Sequence, residues 1–175
     1  MTPRTPRASG DLRARWARLT WRQRVTAAAA AFLGIGSAAI SLIWLLGGTW
    51  LLDTVGGQIE ALGRGGGAGV AAGLVLVIAL KLVAAVLPTA VLLWPHRRLL
   101  RWAGWVAAGI LTVYGLVLTG AGLLVITDIV PAGADADRRA LRWHAMFWDP
   151  WFLLWGLASL LALARHRTRP AVTNR

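Results

Sequence analysis

Four long apolar blocks constrain this chain more than any other feature of its sequence. They cover residues 25–46, 70–93, 102–126 and 146–164, and the shortest has 19 residues. At about 1.5 Å of rise per residue, even a helix of that length nearly spans a hydrocarbon layer of about 30 Å. A chain of 175 residues, 57% of them hydrophobic and 15% charged, cannot bury such blocks in a core of its own. We therefore predict an all-α fold, a four-helix transmembrane bundle.

The basic residues are distributed unevenly among the segments that flank the blocks. Of the 19 basic residues, 14 lie in residues 1–24, 94–101 and 165–175. The other two links hold four basic residues, Arg64, Arg138, Arg139 and Arg142, and five acidic residues, Asp53, Glu60, Asp128, Asp135 and Asp137. Because arginine-rich loops stay on the cytoplasmic side of a membrane, we predict that both termini and the middle link face the cytoplasm.

This topology also accounts for the net charge of +12, so nucleic acid is not a predicted partner. The predicted location is the plasma membrane, where anionic lipids of the inner leaflet would attract the arginine-rich segments. Membrane lipids are therefore the predicted partners, together with a membrane protein of unknown identity. The first apolar block exceeds the roughly 7–15 residues of a signal-peptide core, so we expect it to be retained as a membrane helix.

The chain divides into three segments on this basis. A basic, partly disordered cytoplasmic segment (1–19) precedes the transmembrane domain (20–165), and a basic cytoplasmic tail (166–175) follows it.

Two local patterns occur before the first block. Leu12, Trp16 and Leu19 have the spacing of a short amphipathic helix suited to an anionic leaflet, and a disordered basic tail is the alternative. Thr20 and Gln23 have the spacing of a capping box, which predicts that the first membrane helix begins there.

Lys81 is the most informative residue because it lies near the middle of the second block. An ionised amine at that depth costs about 2.5–3.5 kcal/mol on insertion scales, so it is expected to face other helices and to find a partner. The candidate partners are Asp149, Asp128, Tyr114, Thr119 and carbonyl groups freed near Pro88. A structural tether is the favoured interpretation of Lys81, and a part in transport, proton transfer or ligand binding is the alternative.

Asp149 admits two interpretations. In the favoured one it caps the fourth helix, with Pro150 at the first helical position, and residues 138–148 lie along the membrane surface. In the other, the helix begins earlier, kinks at Pro150 and carries Asp149 into the membrane within reach of Lys81.

Stripes of small residues at a spacing of four indicate where helices can approach closely. The stripes are Gly65, Gly69 and Gly73; Ser37 and Ser41; and Gly104, Ala108 and Thr112. Trp44 and Trp155 lie deeper in their blocks than the other tryptophans, so we expect them to pack between helices.

No residue pattern predicts a catalytic, metal or cofactor site. The chain has no cysteine, and its histidines, His96, His144 and His166, are scattered. Tyr114 lies in the middle of the third block, where we interpret it as a hydrogen-bonded core residue. Enzymatic activity is therefore not favoured, and no metal or cofactor is predicted.

Two stretches resemble a family of small bacterial membrane proteins known as domain of unknown function 3995. The first is 41–50, SLIWLLGGTW, with Trp44, Gly47 and Gly48; the second is 142–156, RWHAMFWDPWFLLWG, with His144, Trp148, Asp149 and Pro150. Lys81 and Pro88 fit the family pattern loosely, and the pattern has a histidine and a tyrosine where this chain has Ser41 and Ile43. The resemblance covers roughly residues 25–164. It implies a four-helix membrane protein, common in actinobacteria, and no particular chemistry.

Three functions are compatible with these observations. The leading hypothesis is a non-enzymatic membrane module that associates with lipids or partner proteins. The alternative is a small transporter or proton-coupled carrier that uses Lys81 and Asp149. A membrane-embedded enzyme acting on a lipid or quinone is the third.

Overall fold

The computed structural model describes residues 8–133 and 136–164, and within them all regular structure is helical. The helices are α1 (Ala8–Ala17), α2 (Trp21–Leu45), α3 (Gly57–Gly65), α4 (Ala68–Leu93), α5 (Arg98–Ile126), α6 (Arg138–Trp143) and α7 (Asp149–Ala164). A short 3₁₀ turn occupies Leu52–Thr54, and a π-helical turn, His144–Trp148, joins α6 to α7. Residues 1–7, Asp135 and the predicted tail 166–175 with His166 lie outside the described residues.

Four of these helices are long and apolar enough to cross a membrane, as predicted. They are α2, α4, α5 and the continuous helix Arg138–Ala164. All four begin before the predicted span, and in three of them, which begin at Trp21, Arg98 and Arg138, the helical backbone continues through the arginines that flank the apolar blocks. Arginine side chains tolerate this position because their long stems carry the charge back to water.

The four long helices pack through small side chains. α2 lies against α4 and α7, and α5 lies against α7 and α4. The three buried clusters are Ala27–Leu92–Ala162, Ala30–Ala85–Trp155 and Val91–Ala108–Leu163. Lipid chains are as apolar as these side chains, so helices in a membrane associate through close van der Waals contact, which small residues allow.

The two ends of this helix group differ in charge. We call the end where α2 and α5 begin the arginine-rich end, and the opposite end, where α3 and α6 lie, the acidic end. At the arginine-rich end α1 folds back, and the Arg15 guanidinium donates to the Leu93 carbonyl at 3.1 Å. Arg15 also pairs with Asp11 at 2.9 Å, and this hydrogen bond lowers the pKa of the Asp11 carboxyl. Residues Ala8–Ala17 form a helix, which ends before Leu19, the third residue of the predicted amphipathic pattern.

The capping box at the start of α2 is confirmed. The Thr20 hydroxyl accepts from the Gln23 N–H at 3.3 Å, and the Thr20 N–H donates to the Gln23 side chain at 3.0 Å. These two bonds satisfy backbone and side-chain groups that would otherwise lack partners at the first turn.

Two of the three small-residue stripes face other helices, and the third does not. Ser37 and Ser41 are buried, and Gly104 and Ala108 pack against α4 and α7. The stripe Gly65, Gly69 and Gly73 does not mark a contact: a Cβ at any of the three would meet none of the described residues within 4 Å. Two glycines with positive φ, Gly66 at 65° and Gly67 at 100°, separate α3 from α4, so the stripe is divided between two helices.

The preferred interpretation of Asp149 as an N-cap is also wrong. Its backbone is α-helical, with φ −75° and ψ −42°, inside the continuous helix Arg138–Ala164. Residues 138–148 are therefore part of that helix rather than a separate surface helix. We attribute the π-helical turn to Pro150, which has no N–H for the Met146 carbonyl and whose ring crowds that carbonyl in an ordinary α-helix.

Candidate functional site

Lys81 reaches from α4 to α2. Its ammonium donates to the Ser41 hydroxyl at 2.8 Å and to the Ser37 carbonyl at 3.2 Å. The Ser41 hydroxyl in turn donates to the same carbonyl at 3.4 Å, and the amine lies 5.8 Å from the Phe152 ring centroid. Two oxygen acceptors and one aromatic face thus stabilise the amine where α2, α4 and α7 meet.

The predicted partners of Lys81 were wrong. Its hydrogen bonds go to Ser37 and Ser41 rather than to Asp149, Asp128, Tyr114, Thr119 or a carbonyl near Pro88. A helical carbonyl keeps a second lone pair after its backbone hydrogen bond, so the Ser37 carbonyl can accept from the amine without breaking α2. The available sequence signal was the Ser37–Ser41 stripe, which predicts a close helix contact but does not identify the lysine that uses it.

Asp149 is 3% exposed and pairs with His144 instead of Lys81. Its Oδ1 lies 3.2 Å from His144 Nδ1, while His144 Nε2 lies 3.2 Å from the Val55 carbonyl oxygen. Because the carbonyl can only accept, Nε2 carries a proton, and a second proton lies between Nδ1 and the carboxyl. The pair is therefore electrically neutral, whichever of the two groups holds that second proton.

Tryptophans continue this hydrogen-bonded network at the acidic end. The Trp148 N–H donates to the Thr54 hydroxyl at 3.1 Å, and Thr54 donates to the Leu51 carbonyl at 2.6 Å. The rings of Trp44 and Trp148 are 5.9 Å apart, and the Trp44 N–H donates to the Trp50 carbonyl at 2.8 Å. Tyrosines and tryptophans commonly use one polar atom in this way while their rings remain in apolar surroundings.

We call residues 46–56 the acidic-end cap. The hydrogen bonds of Trp44, His144 and Trp148 hold these residues over the last turn of α2 and the first turn of α6. Within the cap, Leu52 is buried, and Asp53 pairs with Arg139 at 2.6 Å. Gly56 has a φ of 67° and lies so close to Ala140 that a Cβ there would come within 2.5 Å of the Ala140 Cβ. The cap is thus joined to α6 by an ion pair and by backbone contact.

The remaining candidates lie apart from this network. Tyr114 is 47% exposed on α5 and packs edge-on against Phe152 at 5.6 Å, so its interpretation as a core residue is wrong. The next residue, Gly115, is the one that faces α7, and this orientation turns Tyr114 outward. Asp128 is exposed after α5, where it lines a cavity of about 70 Å³ with Arg138 and Arg142.

Trp155, in contrast, lies between the helices as predicted. It is 1% exposed and packs with Ala30 and Ala85. Within residues 8–133 and 136–164, no three histidine, aspartate or glutamate side chains come close enough to hold a metal ion.

The two stretches that carried the family resemblance meet at the acidic end. Trp44 contacts Trp148, and the Gly47–Gly48 turn that follows α2 forms the first part of the acidic-end cap. A Cβ on Gly48 would lie 2.5 Å from the Ile43 side chain, which explains the need for glycine there. His144, Asp149 and Pro150 belong to the same network or to the π-helical turn. The motifs therefore specify how the cap is fastened to the last helix.

Comparison with known proteins assigns the chain to a family. No curated protein and no solved structure matches the chain. Residues 34–159 match a family model whose description is "Protein of unknown function (DUF3995)". This match includes Lys81, the acidic-end cap and the His144–Asp149 pair, and it covers well over half of the chain. The chain therefore belongs to the DUF3995 family.

Proposed function

We propose that this protein is a non-enzymatic, multi-pass module of a bacterial plasma membrane. In this proposal its four long helices form a transmembrane bundle, both termini face the cytoplasm, and the arginine-rich end associates with anionic lipids of the inner leaflet. A membrane-protein partner of unknown identity can use the exposed apolar helix faces. The module supplies a rigid membrane-embedded scaffold rather than a reaction centre.

The observation that carries this proposal is the use of Lys81 as a link between helices. Its amine is bound by Ser37 and Ser41 of α2 and lies over Phe152 of α7. An amine held in this way connects three helices, and its N–H groups donate hydrogen bonds to protein oxygens. Such geometry supports a structural tether.

The polar groups proposed for a carrier are not joined to each other. Lys81 binds serines of α2, whereas Asp149 binds His144 of its own helix. A proton path through both groups would need them to share a partner or an adjoining space. Their separate hydrogen bonds therefore favour the scaffold over the carrier.

The distribution of carboxylates supports the proposed orientation. Asp11 is the acidic residue of the arginine-rich end, and it pairs with Arg15. The other six of the seven acidic residues belong to the acidic-end links or to Asp149. The positive charge of the arginine-rich end is thus largely uncompensated within the chain, as expected for an end that faces anionic lipid.

A double-mutant cycle tests the tether. In the chain with Lys81, Ser41→Ala removes one acceptor from the amine, so we expect the free energy of unfolding to fall by about 1.5 kcal/mol. In a Lys81→Met background the same change is expected to have little effect, because no amine is left unsatisfied. The measurement is unfolding in mixed detergent micelles by titration with sodium dodecyl sulfate.

Ser159→Ala is the matched control. Ser159 is also buried, but its hydroxyl donates to the Trp155 carbonyl of its own helix at 2.9 Å. Its effect is expected to be the same in the unaltered chain and in the Lys81→Met background. Equal effects of Ser41→Ala in the two backgrounds would contradict the tether, and so would loss of a cellular phenotype in Lys81→Met at unchanged stability and abundance.

A further inference from the structure

A groove at the start of α5 combines two guanidinium groups with two indoles. It has a volume of about 550 Å³ and is lined by Arg98, Arg101, Trp102 and Trp105. These residues have i, i+3 and i+4 spacing, so they occupy one face of the first two helical turns. All four side chains are exposed, and Trp102 is 72% exposed.

The chain itself provides little to neutralise this groove. From residue 61 to residue 127 the sequence contains no aspartate or glutamate. Among the described residues, the ion pairs of arginine involve Arg15, Arg64 and Arg139, and not the two arginines of the groove. The acid at the same end, Asp11, is already bound to Arg15. No described residue therefore supplies a counter-charge to Arg98 and Arg101, and an anion from outside the chain can do so.

An apolar surface continues directly from the groove along α5. Trp102 is followed on the same face by Val106, Ile110, Val113 and Val117, each more than half exposed. From Trp102 to Val117 this face extends about 22 Å, more than the half-thickness of about 15 Å that one leaflet's acyl chains occupy. The surface thus has a charged section followed by an apolar section, in the same order as the headgroup and the acyl chains of a phospholipid.

We propose that this groove binds one anionic glycerophospholipid of the inner leaflet. The headgroup phosphate lies between Arg98 and Arg101, since guanidinium groups bind phosphate oxygens in a bidentate manner. Trp102 and Trp105 place their rings at the level of the glycerol backbone, where indoles are favoured. The acyl chains lie along the apolar face of α5. The site rests on the proposed function, because it requires the arginine-rich end to face the inner leaflet.

Native mass spectrometry of the purified full-length chain in detergent tests the site. The probes are phosphatidylglycerol and, for comparison, zwitterionic phosphatidylcholine of the same acyl composition. We expect one phosphatidylglycerol to be retained, and Arg98→Gln/Arg101→Gln to weaken its binding by about tenfold or more. Millimolar inorganic phosphate is expected not to displace the lipid, because phosphate cannot occupy the apolar part of the site.

Arg13→Gln/Arg97→Gln is the matched control, since it removes two exposed charges from the same end without altering the groove. Its phosphatidylglycerol affinity is expected to match that of the unaltered chain, and circular dichroism is expected to show that both double variants remain folded. Equal loss in the two double variants would overturn the site and leave general attraction to anionic lipid standing. Displacement by phosphate would show an anion site without lipid selectivity and would also overturn it. Equal retention of both lipids by the unaltered chain would contradict the site and the proposed lipid association together.

Discussion

Gly115→Leu is expected to abolish stable packing between α5 and α7. Gly115 is buried against the backbone of Leu153, and a Cβ there would lie 2.6 Å from the Leu153 Cα and 2.9 Å from its Cβ. Because the obstructing atoms belong to the backbone, rotation of a side chain cannot relieve the clash, and the helices must separate. We expect a loss of about 3 kcal/mol or more in the free energy of unfolding. The measurement is SDS titration of the purified variant, together with its abundance in membranes.

Two other glycines of α5 provide the control for this substitution. A Cβ at Gly109 or Gly120 would meet none of the described residues within 4 Å. Gly109→Leu and Gly120→Leu should therefore leave stability unchanged or raise it slightly, because leucine has the higher helix propensity. A Gly115→Leu variant as stable as these two variants would contradict the close contact between α5 and α7.

The His144–Asp149 pair should give the second large effect. Asp149→Leu leaves His144 Nδ1 without its partner in a partly buried position, which is expected to cost about 1–2 kcal/mol of stability. Asp149→Asn is expected to remain close to the unaltered chain, since the amide can donate to a neutral Nδ1 while Nε2 still donates to the Val55 carbonyl. The measurement is the free energy of unfolding of both variants in detergent.

A cycle with His144→Leu distinguishes this pair from one between Asp149 and Lys81. When both partners are replaced by apolar residues, neither the Nδ1 atom nor the carboxylate is left without the other, so His144→Leu/Asp149→Leu should cost less than the sum of the single changes. We also expect His144→Leu to make the acidic-end cap more sensitive to protease, because the bond to Val55 is lost. Coupling of Asp149 to Lys81 with none to His144 would contradict the observed pairing.

Features encoded in neighbouring residues could be predicted from the sequence. The four helices follow from the length of each apolar block, and the capping box follows from Thr20 and Gln23 alone. The burial of Trp155 follows from its depth in the last block. The family match is equally local, because two continuous stretches carry its motifs.

Features that depend on the rotation of one helix against another could not be predicted. Lys81 was expected to bind a polar side chain of another helix or a carbonyl near Pro88, but the orientation of α4 directs it to a serine hydroxyl and a carbonyl of α2. Tyr114 and Gly115 are adjacent in sequence, and the close approach of α7 to Gly115 decides that the tyrosine faces outward. The sequence preferences of Asp149 and Pro150 favour a cap, whereas a π-helical turn keeps both inside one long helix. In each case tertiary contacts override a local preference.

Cysteine labelling tests the central claim, that four helices cross the membrane with both arginine-rich termini inside. Because the chain has no cysteine, single substitutions report one position each. Ala14→Cys and His96→Cys lie at the arginine-rich end, and Gly65→Cys and Gly133→Cys lie at the acidic end, all at exposed positions. With a membrane-impermeant maleimide, the account predicts that the substituted positions 65 and 133 react in intact bacterial cells, whereas positions 14 and 96 react only after permeabilisation. Reaction of position 14 or 96 in intact cells, or protection of position 65 or 133, would contradict it.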